Sequence, residues 1–129
     1  MTDYPYSEMS NEQLAKAFVD ISIKQADATG RRDARASDKL IRDLQAIEET
    51  LRARGPEARK VLKPLLSYGP GSLQQTAQVR LNAAKELLAV VPDEARATLE
   101  ELVEHGPSFQ SGSAGMCLQL LDDGVFKPT

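Results

Sequence analysis

The chain repeats itself. Laying residues 57–70 (EARKVLKPLLSYGP) over residues 94–107 (EARATLEELVEHGP), a shift of 37 positions, pairs Glu57 with Glu94, Ala58 with Ala95, Arg59 with Arg96, Leu62 with Leu99, Leu65 with Leu102, Gly69 with Gly106 and Pro70 with Pro107. Seven of the fourteen aligned positions are identical. A period between roughly 20 and 50 residues marks stacked supersecondary units, each too small to bury its own apolar face. Under the same shift Ala77 falls on Ala114, Leu81 on Leu118, Val79 on Met116 and Ala84 on Leu121, and one period earlier Leu40, Leu44, Ile47 and Leu51 fall on Ala77, Leu81, Ala84 and Leu88. Three helical hairpins follow, the first diverging as terminal repeats do because one of its faces meets water.

Local signals place the helices. Ser10 and Gln13 form a capping-box pair, with Met9 set to staple on Leu14, and Leu14, Phe18 and Ile21 then recur at helical spacing, which predicts a helix over 11–28. The polar run GRRDARAS reads as a connection before a second helix carrying Leu40, Ile41, Leu44, Ile47 and Leu51, which Gly55 and Pro56 stop. Pro56 starts a third helix, kinked or shortened by Pro64. A fourth is expected over 75–91 and a fifth from Pro92 to His105. The glycine-rich stretch GPSFQSGSAG reads as a loop before a last helix around 116–122, and Val125 and Phe126 are expected to fold back over the end of the last hairpin. The fold class is thus all-α, an α–α superhelix of about six helices in three stacked hairpins, occupying residues 1–129 as one domain. Its core is drawn from Leu44, Ile47, Leu62, Leu65, Leu81, Leu88, Leu99, Leu102, Leu118 and Leu121.

The string VRLNAAKELL (residues 79–88) resembles the second helix of a HEAT repeat. More broadly, LRARGPEARK (51–60), VRLNAAKELLAVVPDEA (79–95) and AGMCLQLLDDGVFKPT (114–129) are similar to a small bacterial family catalogued as a domain of unknown function. That resemblance covers most of the chain past residue 40. It implies a superhelix of the ARM/HEAT type and carries no assigned activity, substrate or catalytic residue.

Charge and cysteine usage narrow the function classes. A net charge of −3 and a sequence pI of about 5.2 hide an uneven distribution: residues 31–63 hold ten Lys/Arg against six Asp/Glu, and residues 93–123 hold seven Asp/Glu against Arg96 alone. Cys117 is the single cysteine and forms no intramolecular disulfide, which agrees with a reducing compartment. No apolar run approaches the roughly 20 residues of a bilayer span, and the first residues lack the pattern of a secretory signal, so the expected location is the cytoplasm.

Candidate chemistry is sparse. His105, the one histidine, falls in the last turn of a helix, where an imidazole interacts favourably with the C-terminal dipole, and no other His or Cys stands at metal-ligand spacing. Cys117 lies among Met116, Leu118, Leu120 and Leu121 and reads as core; a nucleophile and base pair with His105 is the alternative. The carboxylates Glu100 and Glu101, like Asp122 and Asp123, are sequence neighbours and diverge by about 100° on a helix, so they share no general acid and base site. No catalytic residue, metal or cofactor is expected.

The basic residues Arg31, Arg32, Arg35, Lys39, Arg42, Arg52, Arg54, Arg59, Lys60 and Lys63 make the case for a nucleic-acid-associated protein. Interleaved Asp33, Asp38, Asp43, Glu48 and Glu49, the low pI and the absence of tryptophan count against it. Short helical stacks present grooves, so the leading expectation is a non-enzymatic protein-binding module, an adaptor or a neutraliser of a basic toxin. Its candidate partner-binding residues are the repeat-related Arg59 and Arg96 and the acidic Glu100, Glu101, Glu104, Asp122 and Asp123.

Overall fold

The computed structural model describes residues 5–129, and among them every regular element is helical. A single 3₁₀ turn at Pro5–Glu8 precedes α1 (Asn11–Gly30) and α2 (Ala34–Arg54). Next come α3 (Pro56–Arg59), which continues without a break as a 3₁₀ helix (Lys60–Ser67), then α4 (Leu73–Leu87), α5 (Pro92–His105) and α6 (Ser108–Asp122). The protein is all-α, as the periodicity requires.

Helix starts follow local chemistry. Ser10 and Gln13 bond reciprocally at the start of α1, and Ser72 and Gln75 repeat the same capping box at α4. Pro56 and Pro92 occupy the first helical position, where a missing N–H has no consequence. Pro64 has no N–H to give to a continuing helix, and the segment around it tightens to 3₁₀ geometry.

Two connections read from the sequence are helical instead. Of the run 30–37, Gly30 ends α1 and residues 34–37 form the first turn of α2: Asp33 Oδ1 accepts the Ala36 N–H at 3.0 Å, and Arg32 turns the chain at φ +54°. That first turn holds no large apolar residue, only Ala34 and Ala36, so periodicity passes over it, although an aspartate N-cap is sufficient to start a helix. Likewise residues 108–115 form the first two turns of α6 despite Gly112 and Gly115. Tertiary packing overrides weak propensity here: Gln110 and Ala114 are buried, Ser111 Oγ donates to Val103 O at 2.9 Å, and an added Cβ on Gly115 would already meet Val103.

Successive elements pair as three hairpins, α1 with α2, the 3₁₀ helix with α4, and α5 with α6, around one core. The hairpins meet chiefly through α4, which packs against α1 on one side and against α5 and α6 on the other. The long α1 touches the 3₁₀ helix but packs mainly on α4. Leu62 and Leu99, equivalent under the repeat, are both fully buried, and Ala58 and Ala95 are both buried. Leu118 and Leu121 are only half-buried, because α6 ends the stack and has no following hairpin to cover them. Leu65 is half-buried as well. The two glycines of the repeat also differ: an added Cβ would stand 2.6 Å from Leu102 O at Gly106 but would meet nothing at Gly69.

The last residues do not cap the final hairpin as expected. Val125 is exposed, whereas Phe126, held by a 3.0 Å bond from its N–H to Leu120 O, reaches toward α2 and α4 and packs on the core there.

Candidate functional site

The central helix α4 is largely buried, and all the polar side chains it buries except Thr76 fall on one stripe. Gln78, Asn82 and Glu86 recur every fourth residue and are 6%, 7% and 4% exposed. A polar stripe at that spacing normally faces water, and leaving such groups buried without partners would cost about 1–3 kcal/mol each. Each therefore reaches a different neighbour.

Asn82 Nδ2 donates to Ser22 Oγ at 2.9 Å and to Gln25 Oε1 at 2.6 Å, both on α1. Gln78 Nε2 donates to Asn82 Oδ1, and Gln110 Nε2 on α6 donates to Gln78 Oε1, each at 3.1 Å. A chain of side-chain amides thus joins α1, α4 and α6, one helix from each hairpin. Gln110 Oε1 at its end accepts no bond.

Glu86 anchors the other end. Arg52 of α2 grips it with two parallel bonds, Nε to Oε2 at 3.0 Å and Nη2 to Oε1 at 2.7 Å. Arg59 of α3 adds a contact of 3.1 Å to Oε2, donates from the same Nη2 to the Glu86 backbone oxygen at 2.8 Å, and donates from Nη1 to the backbone oxygen of Thr129 at 3.0 Å. Burial, with the nearby Glu86 carboxylate adding to it, lifts Glu48 from 4.5 to about 7 despite the opposing Arg52, Lys85 and Arg59 charges. The hydrogen bonds it donates to Glu86 hold Arg52 more firmly protonated than usual.

The stripe forms the floor of an open groove with two adjoining halves. One, of about 480 Å³, is lined from α1 by Gln25 and Thr29, from α2 by Ser37 and Ile41, from α4 by Gln78, Asn82 and Lys85, and from α6 by Phe109 and Ser113, with Arg32 at its margin. The other, of about 350 Å³, holds Leu44, Glu48, Arg52, Glu86 and Phe126 and shares Gln25, Ile41, Asn82 and Lys85 with the first. Ile41 and Phe109 remain 46% and 55% exposed.

The candidates named from sequence are scattered by comparison. Arg59 is buried and engaged with Glu86, so it is not presented to a partner. Arg96 is partly exposed and bonds Asp122 in a fork at 2.9 and 3.0 Å and Glu100 at 3.3 Å; that fork lowers the Asp122 pKa and raises that of Arg96. The two repeat-related arginines therefore play parallel parts, each tying the first helix of its hairpin to a carboxylate on the second. Glu94 meets Lys63 at 3.2 Å and Glu101 approaches Arg80 at 3.9 Å, so the acidic end is partly neutralised from within. Glu104 and Asp123 are exposed, Glu104 lying 3.6 Å from His105 Nε2. The basic run is likewise divided: besides Arg52 and Arg59, Lys39 holds Asp43, Arg54 bonds Asn11 and the backbone oxygens of Tyr6 and Ser7, and Lys60 holds Glu57.

Cys117 is buried, and burial raises its thiol above the usual value. His105 is exposed and lines a separate small cleft beside Arg80 and Glu101. Among the described residues no group of three or more His, Cys, Asp and Glu is arranged to hold a metal, and no helix is long and apolar enough to cross a membrane. Sequence reasoning missed Gln78, Asn82, Glu86 and Glu48. For the three on α4 the one signal is their four-residue spacing; Glu48, on α2, has none.

Residues 12–122 match the family described as "Domain of unknown function (DUF2019)". The crystal structure of the protein RPA1889 from Rhodopseudomonas palustris CGA009 superposes with a TM-score of 0.86 at 37% sequence identity, covering 98% of this chain and 100% of that one. No curated protein matches the chain.

Proposed function

Since this chain belongs to the DUF2019 family, a domain with no function assigned, its role is read from its own geometry, and we propose that it is a non-enzymatic protein-binding module. The observation that carries this reading is the groove over α4: it touches all three hairpins, is floored by side-chain amides and carries the exposed Ile41 and Phe109. Such a surface suits a chain segment better than a small substrate, which a protein usually encloses on most sides. The buried thiol of Cys117 and the separate cleft of His105 supply no nucleophile and base pair. In this reading the stack is a short HEAT-like superhelix acting as an adaptor in the cytoplasm of a bacterium. The lone cysteine and the bacterial structural neighbour support that placement.

Cross-linking in native lysate followed by mass spectrometry tests the proposal, with an Ile41→Asp/Phe109→Asp variant in parallel. Both side chains are exposed, so the fold tolerates the changes. The expected result is a defined protein captured by the wild type and lost from the variant. Capture that is indifferent to the two substitutions, or no capture, removes the groove from consideration.

A further inference from the structure

The formal charges lining the groove are mixed, but they are not equally available. Glu86 is matched by Arg52 and Arg59, Asp33 directs its Oδ1 to the Ala36 N–H as the cap of α2, and Glu48, half-buried in the wall of the second half, is held protonated up to about pH 7. Arg32 and Lys85 are exposed and make no ion pair among the described residues. The groove therefore offers two cationic groups, one at its margin and one on its floor helix, beside the apolar surfaces of Ile41 and Phe109. Gln25, whose Oε1 is occupied by Asn82, has an amide group left to donate, and the hydroxyls of Thr29, Ser37 and Ser113 lie along the same walls.

From this arrangement we propose that the groove between α2, α4 and α6 receives an acidic segment of a partner protein, its carboxylates meeting Arg32 and Lys85 and an apolar side chain resting against Ile41 and Phe109. The inference rests on the protein-binding reading and adds the chemistry of the partner. Charge complementarity identifies the occupant: a basic segment would set like charges against Arg32 and Lys85, an arrangement that selects against wrong partners. It also separates the groove from the acidic end of the molecule, where Glu100 and Asp122 are already bonded to Arg96. Binding of this kind weakens as salt is added, because the two cations are exposed.

The test is selection of a phage-displayed library of random peptides against the full chain. Enriched peptides are then measured on three variants. Arg32→Asp/Lys85→Glu reverses both charges, and aspartate is chosen because it accepts the positive φ of residue 32 more readily than most residues. Arg32→Asn/Lys85→Gln neutralises them, and Glu100→Lys serves as the control at the acidic end. The expected outcome is peptides rich in Asp and Glu with an aliphatic or aromatic residue, weakened about tenfold or more by the reversal, less by the neutralisation and not by Glu100→Lys. Basic or uncharged peptides, acidic peptides that bind the reversed variant equally, or an empty selection each overturn the inference. Basic peptides lost with Glu100→Lys would move the partner to the acidic end and leave the protein-binding reading in place. An empty selection together with no cross-linked protein in lysate would remove both.

Discussion

At the scale of single residues the most consequential group is Glu48. It is half-buried on α2, close to the Glu86 carboxylate, and the folded protein holds its proton up to about pH 7 where the unfolded chain releases it near 4.5. The stabilisation linked to that proton is complete below about pH 4.5 and fades as pH rises through 7. Glu48→Gln stays neutral at every pH, so its stability relative to wild type should climb by up to about 3 kcal/mol from acid to alkaline conditions. Urea unfolding of both proteins at about pH 5 and about pH 8 measures this, and parallel curves at the two pH values would contradict it. Nothing in the sequence marks Glu48 apart from its neighbour Glu49: both sit on a charged helix, and only the approach of α4 desolvates one of them. Cys117 is the contrasting case. Its apolar neighbours announced a buried thiol, and it is buried.

At the scale of elements, starts were legible where a cap or proline coincided with an apolar stripe, as at Ser10, Pro56 and Pro92. They were missed where one of the two was absent. The start of α2 rests on Asp33, so Asp33→Ala should lower stability by about 1 kcal/mol while Asp33→Asn, which keeps an accepting oxygen, should lose less. Thermal unfolding compares the two, and equal losses would show that the cap oxygen is not what holds this end. The start of α6 is a different failure, since glycines and serines disfavour helix locally and the element exists because Gln110 and Ala114 have α4 and α5 to pack against. For α4 the helix itself was evident, yet a four-residue polar stripe carries the same local signature whether it faces solvent or three other helices.

At the scale of the whole molecule, repeat equivalence makes a quantitative demand. Leu62 and Leu99 are both fully buried one period apart, so Leu62→Ala and Leu99→Ala should each cost about 2–5 kcal/mol and differ by no more than about 1. The half-buried Leu121, at the open end of the stack, should cost less when truncated. Chemical denaturation ranks the three, and a Leu99 variant as mild as that of Leu121 would break the equivalence. The sequence by itself determined that the chain is helical, that its hairpins recur every 37 residues, and most of the core, though not that Leu65, Leu118 and Leu121 stay half-buried, because hydrophobic spacing, caps and repeats are local or periodic properties. Only the tertiary structure decided that α4 is the hub, that Arg59 is buried while Arg32 and Lys85 are left to face a groove, and that Glu48 keeps its proton near neutrality. Burial and charge pairing depend on which distant surfaces come together, and helical periodicity carries no information about that.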